Sequence, residues 1–166
     1  MPQARQNKPP KYKPVEDNRR KHGVEIEFIS PHSHEDSAAK LNQLTGLACS
    51  YEGYTHRRTT YWKIVSDSSV VPNTGQARRH MSGMELVSPP LTFPQMWEEL
   101  RVMCDALNQM GAQINKNCGM HVHHHAAKEL NGPLGGVYAG RLIDAYCEYE
   151  DIFDMLVPAS RRESQG

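Results

Sequence analysis

The sequence predicts an α+β fold in which helices pack on one face of a mostly antiparallel sheet. Short segments with alternating apolar residues, such as Val24, Ile26 and Phe28 in "GVEIEFIS", are typical of strands with one face in the core. Two longer stretches, 91–111 and 133–156, carry apolar residues at helical spacing. Because strands and helices do not alternate regularly along the chain, a parallel βαβ arrangement is disfavoured.

The chain of 166 residues is long enough for one domain with a hydrophobic core and too short for two. Residues 1–22 contain four prolines and almost no apolar side chain, so we expect a disordered basic tail ahead of a folded domain at residues 23–166. An arm that docks on nucleic acid or on an acidic partner is the alternative for this tail. The formal net charge is zero, so the folded part has no basic stripe and nucleic acid is not an expected partner.

The four cysteines are far apart and include no CxxC pair, so they predict neither a zinc ribbon nor a small disulfide framework. No apolar run is long enough to cross a membrane. We therefore expect a cytoplasmic protein with reduced thiols and no membrane partner.

The first helix is predicted at "SHEDSAAKLNQLTG", residues 33–46. Ser33 can cap its start together with an acidic residue three positions later, and Gly46 is typical of its end. Leu41 and Leu44 are expected to face the core. Further strands are predicted at "TTYWKIV", "GMELVSPP", "AQIN" and the histidine-rich segment.

The two long helices each carry an apolar stripe that we interpret as core. The stripe of the helix at 91–111, with Thr92 and Gly111 as its caps, consists of Trp97, Leu100, Cys104 and Leu107. The stripe of the helix at 133–156 consists of Tyr138, Leu142, Ala145, Tyr149, Ile152 and Leu156.

The segment "CGMHVHHH", residues 118–125, places four of the nine histidines in five positions. In a strand, alternate side chains share a face, so His121, His123 and His125 would lie on one face and His124 on the other. A metal site and a phosphate site are both compatible with this row of imidazoles. The other groups on the same face decide between them.

Carboxylates provide those other groups. Glu25 and Glu27 are two positions apart on the first strand, so their side chains share a face about 7 Å apart. Glu85 interrupts an otherwise apolar strand, where a carboxylate is costly unless it is exposed or ligated. An ordinary solvated strand face is the alternative for the Glu25 and Glu27 pair. Three carboxylates with one or two imidazoles favour Mg²⁺ or Mn²⁺ over zinc.

The motifs "GVEIEF", "WKIVSDSS", "GMELVSPP", "GAQINKNCGMHVH" and "PASRR" occur in the order found in the amidoligase family, and they span residues 23–162. The chain thereby resembles glutamate–cysteine ligase and, more remotely, glutamine synthetase, which carries a similar Gly-Met-His-x-His strand. The resemblance implies the catalytic fold of those enzymes. It also implies an ATP-dependent carbon–nitrogen ligase that joins a carboxylate to an amine through an acyl phosphate.

The resemblance further implies a set of metal ligands. Glu25 and Glu27 match the glutamates that hold the metals bridging the nucleotide phosphates, which makes Glu27 an ATP-binding residue as well. Glu85 matches a further metal ligand, and His121 matches the metal-binding first histidine of the GMHxH strand. The implied cofactors are ATP and Mg²⁺ or Mn²⁺.

Other residues are implied to contact phosphate or substrate. His123 matches the second histidine, which contacts the phosphate or the substrate carboxylate, so it is implied to be both catalytic and cofactor-binding. Arg161, or its neighbour Arg162, matches a catalytic arginine that binds phosphate or carboxylate, and Arg161 is also implied to bind ATP. Asp67 is implied to lie near the substrate. The implied partners are carboxylate and amine substrates, either small molecules or peptides, and a homo-oligomer is left open.

Family members continue beyond "RRESQG" with further sheet and further ligands, so the resemblance implies an incomplete active site and a truncated catalytic domain. An inactive fragment of such a ligase is accordingly one alternative. A non-catalytic module in which His121, His123 and His125 bind zinc or nickel is another. An adaptor that works through the basic tail is the third.

Overall fold

The computed structural model describes residues 19–159 and Arg162. Two compact units are distinguished, one ending at His124 and the other beginning at His125. Residues 1–18 of the predicted tail lie outside the described residues. None of the described helices is long and apolar enough to cross a membrane.

Among the described residues, the first unit contains six strands and three helices, and the second unit contains two helices. The strands are β1 Lys21–Ser30, β2 Cys49–Tyr51, β3 Trp62–Val65, β4 Ser82–Val87, β5 Leu91–Thr92 and β6 Met120–His124. The helices are α1 His34–Thr45, α2 Thr74–Ala77 and α3 Phe93–Gln109 in the first unit, and α4 Ala127–Leu130 and α5 Gly135–Asp154 in the second.

Strand β1 is the central strand of the sheet. Glu25 pairs with Val87 of β4 and also with His121 of β6, so β4 and β6 lie on opposite edges of β1. Lys21 and His22 pair with β5, and this pairing starts β1 two residues before the predicted start of the strand. Beyond β4 the sheet continues with β3 and then β2.

The sheet is mixed, which corrects one part of the predicted fold class. The pairings of β1 with β4, β5 and β6 and of β3 with β4 are antiparallel, whereas β2 and β3 are parallel. A parallel pair needs a long crossover instead of a tight turn, and the connection at residues 52–61 provides it here. The α+β class itself is confirmed.

The main hydrophobic core lies on one face of the sheet. Val24 and Phe28 of β1 are each 1% exposed and pack in one cluster with residues of α1 and α3. The other buried members of this cluster are Ala38, Leu41, Cys49, Trp62, Ile64, Met84, Leu86, Leu91, Met96, Leu100, Met103, Ala106, Leu107 and Met110. Because α1 and α3 share this cluster, both cover the same face of the sheet, as the sequence predicted.

Helix α1 follows its predicted boundaries. The Ser33 hydroxyl accepts a hydrogen bond from the Asp36 backbone N–H, and Gly46 ends the helix with a left-handed φ of 70°. Leu41 is fully buried, but Leu44 is 45% exposed, so the prediction for Leu44 was wrong. The buried residues of α1 lie in its first two turns, and Leu44 is in the last turn, beyond the core.

The buried face of helix α3 differs from the predicted one by a small rotation about the helix axis. Leu100 and Leu107 are buried as predicted, whereas Trp97 is 65% exposed and Cys104 is also exposed. The buried face is formed by Met96, Leu100, Met103, Ala106 and Leu107. The sequence offered two overlapping apolar stripes about one position apart, and the predicted one was the less buried of them.

Two further predictions about elements were wrong. The segment "AQIN" forms only an isolated bridge between Gln113 and Ile29 instead of a strand. The core stripe predicted for the helix at 133–156 is exposed in α5 and just beyond its end. Its large members range from 42% to 76% exposure: Tyr138, Leu142, Tyr149, Ile152 and Leu156. The other described helix of the second unit, α4, has only four residues and offers little surface for α5 to pack on.

Candidate metal centre

The face of the sheet opposite the core gathers the predicted carboxylates and imidazoles. Glu25 pairs with His121 across β1 and β6, and Glu27 pairs with Glu85 across β1 and β4. His123 is opposite Gly23, which has the same period-two phase as Glu25. The structure therefore brings these side chains together on one face of three adjacent strands, as the sequence predicted.

Glu25 is the centre of this carboxylate–histidine cluster, which consists of Glu25, Glu27, Glu85, His121 and His123. Its Oε2 atom lies 3.3 Å from Nδ1 of His121 and 3.0 Å from Nε2 of His123. One ligand atom from each of Glu25, Glu85 and His121 can be chosen so that all three lie within 4.8 Å of one another. The side chain of Glu25 is 28% exposed, so the group is partly desolvated and still open to a ligand.

Glu27 is held in place by the backbone of Gly119. The Gly119 N–H donates to Oε2 of Glu27 at 2.6 Å, and the Glu27 N–H donates to the Gly119 carbonyl at 3.0 Å. A Cβ atom at Gly119 would stand 3.3 Å from Oε2 of Glu27 and 3.6 Å from Nε2 of His121. A glycine at this position therefore lets the backbone approach Glu27 and His121 closely.

The pKa of Glu85 is raised, first by burial and then by neighbouring negative charge. Burial raises the pKa of its carboxyl to about 7, and the charges of Glu25, Asp67 and Glu27 act in the same direction. The charge of His121 opposes them. Asp67, which the resemblance implied to lie near the substrate, is thus close enough to the cluster to perturb it.

The pKa of Glu25 is shifted in the opposite direction from that of Glu85. Burial alone would raise the pKa of its carboxyl, but hydrogen bonds and positive charge from His123 and then His121 hold this pKa below its usual value. One carboxylate of the cluster therefore stays ionised while its neighbour Glu85 is only partly ionised near neutral pH. Environments that push the pKa values of adjacent groups apart are typical of functional sites.

The residues present fit a divalent cation. Glu25, Glu85 and His121 supply two oxygen donors and one nitrogen donor at a spacing that a single ion can bridge. A cation here would balance the like charges that raise the pKa of Glu85. Carboxylate-rich donor sets suit Mg²⁺ and Mn²⁺, which prefer oxygen ligands.

A comparison with models of protein families shows the family to which the chain belongs. A family model described as "Putative amidoligase enzyme" matches residues 18–165. The chain belongs to this amidoligase family. No curated protein and no solved structure matches it. The matched region contains every residue of the carboxylate–histidine cluster.

The sequence analysis of this amidoligase also named Arg161, Arg162 and His125. Arg161 is outside the described residues, and the role of this arginine stays a prediction. Arg162 belongs to the second unit, is exposed, and its Nε donates to the Val157 carbonyl at 3.0 Å. His125 also belongs to the second unit and follows the end of β6.

His124 lies on the opposite face from the cluster, as the alternation predicted. It pairs with His22 across β6 and β1, and the Nδ1 atoms of the two rings are 2.7 Å apart. Burial, and then the charges of His124 and Arg20, lower the pKa of His22. His124 therefore provides a control position for experiments on the cluster.

Lys63 lies on the face of the sheet that carries the carboxylate–histidine cluster, and the sequence analysis of this amidoligase missed it. It pairs with Val87, which also pairs with Glu25, so Lys63 has the same phase as the cluster. Lys63 is only 3% exposed, and its Nζ donates to the carbonyls of Arg57 at 2.7 Å and Thr55 at 3.4 Å. The lysine stands between apolar residues in the strand "WKIV", and this position could have indicated a buried lysine. A buried lysine needs hydrogen-bond partners, so it would have been a candidate for a structural or functional role.

Proposed function

We propose that this amidoligase is an ATP-dependent carboxylate–amine ligase whose carboxylate–histidine cluster binds Mg²⁺ or Mn²⁺. The observation that carries the proposal is the grouping of Glu25, Glu85 and His121 within 4.8 Å in a chain of the amidoligase family. The catalytic fold of glutamine synthetase and glutamate–cysteine ligase is part of the same proposal.

The reaction proposed has two steps. A substrate carboxylate oxygen attacks the terminal phosphorus of ATP, ADP leaves, and an acyl phosphate forms. An amine nitrogen then attacks the acyl carbon, phosphate leaves, and an amide remains once the nitrogen has lost a proton. Phosphoryl transfer depends mainly on positioning and charge neutralisation, so no nucleophilic side chain is needed.

The side chains of the cluster would divide the work in the following way. Glu25, Glu85 and His121 would hold the cation, which supplies charge neutralisation at the nucleotide phosphates when it is bound. Glu27 is fixed by Gly119 and would add a further carboxylate to the set that holds the cation at the nucleotide phosphates. Nε2 of His123 lies 3.0 Å from Oε2 of Glu25, so His123 would orient that carboxylate while its ring faces a phosphate or carboxylate oxygen. Arg161 or Arg162 is proposed to contact the phosphate.

The test is a comparison of Mn²⁺ binding, followed by electron paramagnetic resonance, between the wild type and two variants. We expect Glu25→Gln to weaken Mn²⁺ binding at least about tenfold, because it removes a charged ligand of the cation. His124→Asn is the matched control, since it changes an imidazole on the same sheet but on the opposite face. Mn²⁺-dependent ATP binding should likewise be weakened in Glu25→Gln and be close to that of the wild type in His124→Asn.

The activity assay is phosphate release from ATP with Mg²⁺ and mixtures of carboxylates and amines. Phosphate release that requires both an amine and Mg²⁺ would support the ligase. Tight zinc binding with no cation-dependent ATP binding would contradict it and favour the histidine-based metal module. Equal loss of Mn²⁺ binding in Glu25→Gln and His124→Asn would show that the cluster is not the cation site.

A further inference from the structure

The chain leaves the sheet between two pairings with β1. Gln113 and Ile29 exchange backbone hydrogen bonds of 2.7 and 2.8 Å. Gly119 pairs with the same strand again, and its carbonyl accepts from the Glu27 N–H at 3.0 Å. Ile29 and Glu27 are only two positions apart, whereas a regular antiparallel ladder advances by equal numbers of residues on both strands. Residues 114–118, the 114–118 loop, are therefore extra chain that stands out of the ladder.

A second segment, the strap of residues 67–81, is anchored on the face of the sheet that carries the carboxylate–histidine cluster. Its Val70 is 3% exposed and packs in one small cluster with Ile29 of β1. A Cβ atom on Gly83 of β4 would overlap the Val70 carbonyl, so the strap lies directly on the sheet there. Ile29 and Gly83 pair with one another and have the same period-two phase as Glu27. The strap is therefore fixed next to the cluster.

Asn115 joins the 114–118 loop to the strap. Its Nδ2 group donates to the Val71 carbonyl at 2.9 Å and to Oε1 of Gln76 at 2.8 Å. Its Oδ1 atom accepts from the Asn117 backbone N–H at 2.8 Å. A carbonyl can only accept and a backbone N–H can only donate, so these partners fix the orientation of the Asn115 amide. Both ends of the side chain are thus used to hold the loop in one position.

Gln76 gives Asn115 a fixed acceptor on the strap. Gln76 is 2% exposed, and its Oε1 atom also accepts from the Asn73 backbone N–H at 2.9 Å, in the capping box that begins α2. Its Nε2 group donates to Oε1 of Gln113 at 3.4 Å. Leaving a buried amide without its partners is costly, so this arrangement resists change. The strap therefore holds both Asn115 and the residue that precedes the 114–118 loop by one position.

The end of the 114–118 loop reaches the cluster. The Cys118 N–H donates to the Asn115 carbonyl at 3.1 Å, which closes the loop. The next residue is Gly119, whose N–H donates to Oε2 of Glu27 at 2.6 Å. The same exit from the loop sets the register of β6, in which His121 faces the cluster. A slip of one residue would turn His121 to the other face of the sheet.

We infer that Asn115 is a positioning residue of the cation site, which acts by holding Gly119 where its N–H fixes the Glu27 carboxylate. The inference rests on the proposed function, in which Glu27 belongs to the carboxylates that hold the cation. Asn115 itself touches neither the cation nor a substrate. Groups that orient metal ligands from outside the coordination sphere typically change metal affinity about 10–100-fold.

The first test measures Mn²⁺ affinity by electron paramagnetic resonance in Asn115→Asp. This change keeps the shape of the side chain and replaces its two donors by an acceptor, which the Val71 carbonyl and Oε1 of Gln76 repel. We expect Mn²⁺ binding to weaken about tenfold. The sign of the change is informative, because an added negative charge near a cation site would by itself strengthen binding.

The matched control is Asn108→Asp, which makes the same chemical change at an exposed position of α3. It should leave the Mn²⁺ affinity within about twofold, because exposed charges that are far apart are screened. Unchanged or tighter Mn²⁺ binding in Asn115→Asp would overturn the inference.

The second test uses NMR in EDTA and separates positioning from stability. The Gly119 amide proton donates to a carboxylate at short distance, so its resonance should lie downfield and should move upfield in Asn115→Asp. Ile64→Val is the control, since it lowers the melting temperature by removing a methylene from the core on the opposite face. An equal movement of the Gly119 resonance in both variants would show that Asn115 acts on stability alone.

A milder variant covers the case in which Asn115→Asp does not fold. Asn117→Asp removes only the hydrogen bond from Nδ2 of Asn117 to the Val71 carbonyl, which is 3.1 Å long. It should move the Gly119 resonance in the same direction by a smaller amount, and no movement there would overturn the inference. A wild type that binds no Mn²⁺ would refute the proposed function, whereas the measurement in EDTA would still test the action of Asn115 on Glu27.

Discussion

Replacing Glu85 by glutamine is expected to raise the melting temperature of the metal-free protein at pH 8 and to leave it nearly unchanged at pH 4.5. The pKa of Glu85 is raised from 4.5 to about 7 in the folded protein. The neutral carboxyl is therefore favoured by folding, and its stabilising contribution is present below pH 4.5 and is lost as the pH rises through about 7. Glutamine keeps a neutral side chain of similar shape at every pH.

The size of the effect follows from the same shift. A fully buried carboxyl with this shift would lose about 3 kcal/mol of stability on ionisation. Because Glu85 is half-buried, we expect about half of this value, which corresponds to about 3–6 °C in melting temperature. Glu98→Gln, which changes an exposed carboxylate of α3, is the control. A Glu85→Gln difference that is the same at pH 4.5 and pH 8 would contradict the prediction.

Added Mg²⁺ should reverse the order of the two proteins at pH 8. A cation bound at the cluster would stabilise the ionised carboxylate of the wild type, whereas glutamine would offer it only a neutral oxygen. The measurement is differential scanning fluorimetry across a pH series, with and without Mg²⁺. A variant that gains as much stability from Mg²⁺ as the wild type would show that Glu85 is not a ligand.

Replacing Gly83 by valine is expected to prevent stable folding. Gly83 lies in β4 on the same face as Glu85, and a Cβ atom there would overlap the backbone carbonyl of Val70. The contact is with backbone, so no side-chain rotation relieves it. We expect Gly83→Ala to cost about 1–3 kcal/mol and Gly83→Val to cost more, because overpacking forces the backbone to shift.

The measurement is urea denaturation followed by circular dichroism. Gly75→Ala is the matched control, since a Cβ atom there would meet only Asn73 Oδ1 at 3.4 Å, an ordinary contact. Alanine is also the better helix former, so this control should be neutral or slightly stabilising. If Gly83→Ala were as stable as Gly75→Ala, the Val70 segment would have to move away from the sheet at no cost.

Period-two alternation explains why the site was predictable from the sequence. The phase of Glu25 and Glu27 against Val24 and Phe28 assigned one face to the core and the other to charge, and the structure has this arrangement. A one-residue error in register would have exchanged these faces, so a strongly alternating strand is a reliable guide. The same alternation predicted that His124 lies on the opposite face of the sheet from His121 and His123.

Helical stripes were harder to predict because neighbouring stripes overlap. Trp97 and Met96 are adjacent on α3, and the sequence does not say which of them faces the sheet; the structure buries Met96. The contacts of Lys63 were not predictable either, because the path of the loop before β3 decides which carbonyls its Nζ meets.

The central position of β1 has a consequence for the order of events during folding. The contact between Glu25 and His121 joins residues 96 positions apart, so it forms only after a large loop has closed. Early pairing of β1 with β4 would assemble Glu25, Glu27 and Glu85 without any imidazole. Contacts of long sequence separation form slowly. The appearance of full cation affinity in a stopped-flow refolding experiment should therefore time the docking of β6 on β1.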